Sequence, residues 1–479
     1  MENSKKYVVN IVYIIAVISL IALGFFIILN NLFPLHIRNI LFLIFLSIYV
    51  IFGFIILKNN NKSKAISIFM TVIFSILIIV QTMGCYYIFN TYTKYNRSLR
   101  QAGESVKYTI ITLKTNEVNT VKEMKNSDLY YSKEDGFDGI KKMKAEIVNI
   151  NDKINFIQND STLTNYKNLL DGKIKYMILN NSLIGTLEPT EEEFRNKVKE
   201  VLLEDNNTSV TVKKEKDIKK DTKPEQSFVI YISGGDSYES TKIPSRSDVN
   251  ILLAVNPKTN KMLMTTISRD AYVMMPGLGR DKLTHAGIYG IDKSIDTLEN
   301  LLDIDINYYA KVNFASLIDL VDIMGGIKVN NKQDFVSRLG KNHYPKGEIE
   351  LNGEKALDFV RERYHLKDGD NDRARNQMLV LEAMIRKSMS PTILLKYNQV
   401  LDKALESVNT NMPAKILTSI VNNQIETKAG WQISHNEIKG SGQMGLKSFA
   451  MPHAKLFMYK LDKTSVFEAS NMIKSLLAE

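Results

Sequence analysis

The 479 residues contain a single cysteine, Cys85, and it lies inside an apolar run. No disulfide framework and no cysteine zinc site can therefore form within one chain. Histidines are also sparse. His285, His343 and His365 fall at no metal-ligand spacing and are expected as surface or hydrogen-bonded side chains. No G-x-x-x-x-G-K-[ST] loop exists, which excludes the lysine-bearing phosphate loop of nucleotide hydrolases. No Gly-x-Ser-x-Gly elbow exists to carry a serine nucleophile. Gly277-Leu278-Gly279 lacks the strand-to-helix setting of a dinucleotide loop and reads as a turn.

Charge is missing from three long runs before residue 90: Tyr7–Leu29, Ile40–Leu57 and Ala65–Phe89. Their length and composition predict membrane-spanning helices. A cleaved signal peptide would account for the first run only, and no small-residue cleavage site follows it. Lys5 and Lys6 precede the first run, and Lys58, Lys62 and Lys64 separate the second from the third; the intervening loop offers only His36 and Arg38. The positive-inside rule then predicts a cytoplasmic N-terminus, with everything after about residue 90 delivered to the outside of a multi-pass cell-membrane protein.

What remains is a polar chain with globular periodicity and a net charge of +10, a balance that suits nucleic acid, anionic lipid or phosphate-bearing substrates. Residues 91–212 form an accessory segment. It has an expected strand at Val106–Leu113 and expected helices at Asp138–Ile150 and Glu191–Leu203; Lys167–Leu179 fits either helix or strand. Lys213–Glu225 is a charged run without periodicity, expected as a linker over 213–226. From residue 227 the pattern turns to short strands at Phe228–Ser233, Val249–Val255 and Lys261–Ser268, with a hairpin turn at Asn256–Asn260. These strands bring Asp236, Arg246 and Asp248, and Arg269 and Asp270 to strand ends, where open α/β sheets place ligands. Alternating helices and strands follow: Ser294–Leu302, Tyr308–Phe314, Ala315–Met324, Ile327–Asn330, Leu351–Phe359 and Asn371–Lys387. They predict a mixed sheet covered by helices on both faces. Residues 388–479 are expected to be helical, with a loop around Trp431 and a last helix at Val466–Leu477.

The densest chemistry lies in Arg361–Gln377, where four arginines and three aspartates share seventeen residues. Arg361 and Arg363 are two apart, so an extended backbone points both the same way. Asp370, Arg373 and Gln377 share one face of a helix. Paired guanidiniums beside a carboxylate suit a polyphosphate with a cation; a solvated loop capping a helix at Asp370 has the same composition.

Asp236, Arg246-Ser247-Asp248, Ser268-Arg269-Asp270, Arg361-Glu362-Arg363 and Asp370–Gln377, in that order around Gly325-Gly326, resemble the LytR-CpsA-Psr family. The chain is similar to the capsule-biosynthesis, CpsA-like branch of that family. The resemblance covers roughly Phe228–Lys387, and the three-span anchor (1–90) with an accessory domain also looks like that branch. It implies an α/β protein: three N-terminal transmembrane helices, a small α/β accessory domain, then a mixed-sheet α-β-α catalytic domain over 227–479. It implies a Mg²⁺-dependent phosphotransferase. The enzyme would move a glycopolymer, here a capsular polysaccharide, from a polyprenyl-pyrophosphate carrier to a peptidoglycan acceptor through a phosphodiester link.

By position, the resemblance implies Asp236 and Asp248 as metal acids, and Arg246, Arg269, Arg361, Arg363, Arg373 and Gln377 as pyrophosphate contacts. Arg269 would stabilise developing charge, and Asp370 would be the acid near the acceptor hydroxyl. A prenyl tunnel under the sheet would use Ala315–Met324 as a wall. Two motifs depart from the pattern, Asp236-Ser237-Tyr238 and Arg375-Asn376-Gln377-Met378. Lys282 stands where the family places a basic residue, and a surface lysine reads the same. A pyrophosphatase, or a non-catalytic regulator bound to capsule export proteins in the bilayer, would carry the same clamp. Nucleic acid is not an expected partner: the basic residues lie outside the cell and no DNA-reading motif is present.

Overall fold

The structure is a computed structural model. It describes all residues except 1, 30–34, 60–63, 101–102, 160, 189–190, 205–206, 215–225, 236–239, 391–392, 394–396, 428–429 and 453. Asp236 and most of the expected linker thus lie outside the described residues.

Three helices, α1 (Glu2–Leu29), α2 (Leu35–Asn59) and α3 (Lys64–Arg100), are long and apolar enough to cross a membrane. A small polar network ties them together. Gln81 of α3 donates to the Tyr49 hydroxyl of α2 (2.8 Å), and Ser19 of α1 donates to Gln81. The third helix does not stop at the end of its apolar run. It runs to Arg100, 37 residues in all and about 55 Å, so the segment after Phe89 is one rod with the third span.

The accessory sheet contains β1 (Glu104–Leu113), β2 (Asp128–Ser132), β3 (Asn155–Asn159), β4 (Tyr176–Asn180), β5 (Val198–Val201) and β6 (Ser209–Lys214). Its order is β3-β2-β4-β1-β5, with β6 also on β1; β2 runs parallel to both β3 and β4. Helices α4 (Phe137–Ile150) and α5 (Thr162–Leu170) connect the parallel strands. Lys167–Leu179 resolves as the end of α5 followed by β4. The helix expected over Glu191–Leu203 is corrected: helix α6 (Glu191–Lys197) is shorter, and the chain then enters β5. Val198 and Val201 of β5 are buried against the sheet, and that packing overrides helix propensity.

Asp135, at the end of β2, is fully buried. It accepts bonds from the Ser132 amide (2.8 Å), the Asn180 amide and the Thr162 hydroxyl. Burial pushes its carboxyl up to about 6, and these donors only partly offset that. A folded-state value above the unfolded one means that the native state binds the extra proton. The residue's contribution to stability is therefore largest near pH 4 and falls as pH rises through about 6. The change is up to about 3 kcal/mol. Asp135→Asn should abolish this component. Hydrogen exchange of the β2 and β4 amides should show the variant gaining on the parent between pH 4 and 7. A constant difference across that range would rule the assignment out.

The larger sheet contains β7 (Phe228–Gly234), β8 (Val249–Asn256), β9 (Lys261–Thr266), β10 (Tyr308–Val312), β11 (Asn409–Thr410) and β12 (Gln432–Glu437), in the order β11-β10-β7-β8-β9-β12. Period-two alternation gives it two apolar faces. Val229, Tyr231 and Leu252 pack on α7 (Ile291–Leu302) and the last helix, α12 (Lys463–Ala478). Phe228, Ile230 and Leu253 face the other way, toward Met378 of α10 (Asp370–Ser388) and Ile416 of α11 (Ala414–Thr427). The helical reading of the C-terminal part needs correction, because β12 pairs in parallel with β9 as the outermost strand. Gln432–Glu437 has a polar, weakly alternating sequence, so a strand on a sheet edge leaves little periodic signal. Trp431 lies in the connection just before it, as expected, and its side chain is buried.

Candidate active site

The C-terminal end of β7, the start of β8, α8 (Phe314–Ile323), α9 (Gly353–Arg361) and α10 enclose a cavity of about 430 Å³. Its interior is apolar, with Ile232, Ile251, Leu317, Leu320, Val380 and Met384 among the walls. Its polar groups include Asp248, Arg269, Arg361, Arg363, Arg373 and Gln377, drawn from motifs up to 129 residues apart. Leu317 and Leu320 belong to α8, the helix expected over Ala315–Met324.

Thr284 sets the first side of the site. Its amide donates to the Arg269 carbonyl (2.9 Å), its carbonyl accepts from Ser247, and its hydroxyl donates to Asp248 (3.2 Å). The two motif loops are thereby joined, and Arg269 Nη1 lies 2.7 Å from Asp248 Oδ1. The nearby Gly287 is required by contact: a Cβ there would stand 2.4 Å from the Ser245 carbonyl oxygen. Sequence reasoning missed Thr284, since it belongs to no motif.

Glu362 sets the second side. Although it lies between the two clamp arginines, it is buried. Its carboxylate accepts the backbone amides of Arg338, Arg363, Tyr364 and His365. Burial pushes its carboxyl up, but these four amides outweigh it and hold the group below its usual range. Glu362 thus folds the Arg361–His365 turn and leaves the guanidiniums free to face the cavity. Arg361 packs on the Phe314 ring (4.4 Å), and Arg363 donates to the Tyr364 hydroxyl. Neither has a carboxylate partner among the described residues.

Arg373 Nη2 lies 2.6 Å from Asp370 Oδ1, an ion pair whose angle is not that of a hydrogen bond; Arg373 Nε is buried and has no hydrogen-bond partner among the described residues. A buried, unsatisfied donor on a cavity wall is costly unless a ligand oxygen completes it.

Two residues assigned from the sequence stand elsewhere. Asp370 does not line the cavity and faces it only through Arg373. Arg246 is also off the lining: its Nη2 donates to the Gly185 carbonyl of the accessory domain (2.7 Å). The departure at Arg375-Asn376 also has a physical account. Arg375 turns outward to Asp372 (2.6 Å), Asp368 (3.2 Å) and Glu437 (3.0 Å), and Asn376 is buried against α9. Arg375 therefore braces α10 to β12 and does not reach the cavity. Lys282 pairs with Asp270 (2.7 Å), and His285 binds the buried Asp281 (2.9 Å). Burial pushes the Asp281 carboxyl up, but His285 and the Ala450 and Lys282 amides outweigh it and hold the group low.

Among the described residues no group of three His, Cys, Asp or Glu could hold a metal by itself. The donor set still fits Mg²⁺, which takes one or two carboxylates and completes its shell with phosphate oxygens and water. Asp248 is such a carboxylate, on the wall of an arginine-lined cavity.

The site is thus an apolar cavity rimmed by guanidiniums in an α/β protein. The chain belongs to the LytR-CpsA-Psr family: the LytR_cpsA_psr family model matches residues 194–465, more than half of it. Among similar proteins is the polyisoprenyl-teichoic acid–peptidoglycan teichoic acid transferase TagU of Bacillus cereus, 41% identical over 35% of this chain and 55% of that protein. The chain thus spans about half the length of that relative. The Enterococcus faecalis TagU is 31% identical over 50% of this chain and 78% of its own. A similar solved structure is the LytR-CPS2A-psr family protein YwtF (TagT) with bound octaprenyl pyrophosphate lipid. It is 29% identical, covers 55% of this chain and 95% of its own, and has a TM-score of 0.42.

Proposed function

We propose that this chain is a membrane-anchored phosphotransferase that moves a glycopolymer from a polyprenyl-pyrophosphate carrier to peptidoglycan. The observation that carries the reading is the pair of guanidiniums, Arg361 and Arg363, without a carboxylate partner among the described residues, facing Arg269 and Arg373 over an apolar cavity. A prenyl chain suits the interior, and pyrophosphate suits the mouth. The names of the TagU relatives agree with such a transfer, with teichoic acid as the polymer. The CpsA-like resemblance favours a capsular polysaccharide. Both polymers present the same pyrophosphate.

In the proposed reaction an acceptor hydroxyl oxygen attacks the phosphorus nearer the glycan. The bond from that phosphorus to the bridging oxygen breaks, and polyprenyl phosphate leaves with the electron pair. The hydroxyl proton passes to a site carboxylate; Asp248 is the one on the cavity lining, while Asp370, assigned from the sequence, stands behind Arg373. Arg269, Arg361, Arg363 and Arg373 hold the phosphate oxygens and balance charge as it moves to the leaving group, so positioning and electrostatics supply most of the rate. Gln377 adds a neutral donor. Mg²⁺ held by Asp248, with Asp236 as the second acid assigned from the sequence, would supply further charge neutralisation. The lysine asymmetry around the spans supports a cytoplasmic N-terminus, with the site outside the membrane.

The test uses the whole chain in lipid nanodiscs with Mg²⁺, a lipid-pyrophosphate glycan and peptidoglycan fragments. A joined glycan–peptidoglycan product is expected. Free phosphorylated glycan alone would instead make the protein a pyrophosphatase, and binding without turnover would make it a regulator.

A further inference from the structure

A second hollow, of about 760 Å³, lies where α8 and α10 end and α9 begins. It shares helices with the apolar cavity: Leu320 and Met384 line the cavity, and Asp322 and Ala383 line the hollow. Its own lining is polar. Lys328, Lys355, Arg386 and Lys387 stand there against Asp322 and Glu350. Lys328 is shared between Glu348 (3.2 Å) and Glu350 (3.4 Å), Arg386 pairs with Glu382 (2.7 Å), and Asp322 accepts the Gly353 amide (2.7 Å). Lys355 and Lys387 have no carboxylate partner among the described residues. Ser390 adds a hydroxyl that is buried and has no hydrogen-bond partner among those residues. Two such ammonium groups and an unsatisfied hydroxyl suit a phosphate.

The third helix fixes where the hollow stands. Its membrane-length apolar stretch ends at Tyr95. Lys94 meets Asp402 (3.2 Å), and the Gly103 amide meets Asn409 (3.2 Å), so the helix Tyr397–Ser407 climbs away from the spans beside α3. Helix α8 descends against it: Ser316 donates to the Ser407 carbonyl, and Asp319 pairs with Lys403 (2.9 Å). Asp319 is therefore level with Lys94 to within about one helical turn, and Asp322 lies roughly 4.5 Å nearer the spans. The hollow thus stands at the depth of lipid headgroups. The arginine-rimmed mouth of the cavity is at the opposite end of α8, beside Asn313.

We propose that this hollow seats the phosphate of an anionic phospholipid, with Lys355, Lys387 and the Ser390 hydroxyl as donors, and that the seated lipid holds the inner end of the apolar cavity against the bilayer. The proposal rests on the membrane anchor and not on the transferase reading, so its test needs no turnover. Depth selects a lipid over a soluble anion: at this level the bilayer supplies phosphate at high local concentration, and the acyl chains stay in the hydrocarbon. The polar lining offers those chains no place in the hollow itself.

The test measures hydrogen exchange on the whole chain in nanodiscs of phosphatidylcholine alone and of phosphatidylcholine mixed with phosphatidylglycerol. The Gly325–Lys328 and Lys387–Ser390 amides should exchange about tenfold more slowly in the mixed discs, because bound lipid stabilises the closed walls. Lys355→Glu with Lys387→Glu should remove the difference, Ser390→Ala should reduce it, and Lys355→Arg with Lys387→Arg should keep it. Reversing Lys141 and Lys153 of the accessory domain to Glu should leave it intact. Equal exchange in the two discs overturns the proposal, as does a difference that survives the Lys355→Glu, Lys387→Glu change. Loss of the difference in the Lys141→Glu, Lys153→Glu chain also overturns it, since the cause is then general attraction to a charged surface. Equal slowing by glycerol phosphate added to phosphatidylcholine discs makes the hollow a site for a soluble anion and overturns it as well. Melting curves identify a double variant that fails to fold, and Lys355→Gln with Lys387→Gln then takes its place under the same criteria.

Discussion

Arg269→Ala is expected to lower the single-turnover transfer rate by about 10²–10³-fold, the usual loss when one preorganised donor to developing charge is removed. Its guanidinium is mostly buried at the strand end and pairs with Asp248 at 2.7 Å. In the proposed transfer step, negative charge builds on the oxygens of the leaving phosphate at the cavity mouth, where this guanidinium is already in place to meet it. Arg269→Lys should retain part of the rate, because it keeps the charge without the two-pronged geometry. Asp248→Ala should also abolish turnover, since it leaves Arg269 without its carboxylate. Melting curves must accompany the rates, as breaking a buried pair destabilises the fold as well. Rates within threefold of the parent in both alanine variants would defeat the site assignment.

Glu104→Ala should cost about 3–5 kcal/mol, the expected loss when one partner of a buried ion pair is removed. Glu104 opens β1 of the accessory sheet, immediately after the third long helix. Its carboxylate meets Lys311 of β10 and accepts the Ile291 amide (2.6 Å), and both charged residues are buried. Lys311 also donates to the Ile243 carbonyl (2.7 Å), and the next residue, Val312, lines the cavity. Around this pair, Asn409 accepts the Gly103 amide and donates to the Gly103 carbonyl (2.9 Å). The first residues after the helix are thus seated in the larger sheet. Losing Glu104 strands the Lys311 ammonium without a counter-charge, and protection of the β10 amides should collapse. Replacing Lys311 with Met in the same chain should recover much of the loss, because no buried charge is then left over. A loss below about 1 kcal/mol for Glu104→Ala would mean that solvent reaches the pair and that it does not join the two domains.

The spans, the strands β7–β9 and the helices α7–α10 were legible because each carries a strong period or a long uncharged run. Legibility failed where one element borrowed its stability from another. Val198–Val201 reads as helix until β1 offers an edge, and Gln432–Glu437 shows little strand signal until β9 pairs with it. Motif order likewise picked out Asp248, Arg269, Arg361, Arg363, Arg373 and Gln377, all of which line one cavity. It could not separate Glu362, a backbone scaffold, from an acid of the site. Nor could it find Thr284, which acts through hydrogen bonds to Ser247, Asp248 and Arg269.

By itself, the sequence determined which residues can carry charge to a phosphate, and that uncharged runs of membrane-crossing length precede them. Those properties are local: a guanidinium is cationic wherever it sits, and an apolar run avoids water in any fold. Only the tertiary structure decided where each charge points. Arg361 and Arg363 face the cavity because Glu362 occupies the amides behind them. Arg375 faces away because three carboxylates outside the cavity hold it, and Arg246 turns to the Gly185 carbonyl. Direction depends on partners distant in the chain, and hydrogen bonds and ion pairs form only once the fold brings those partners within about 3 Å.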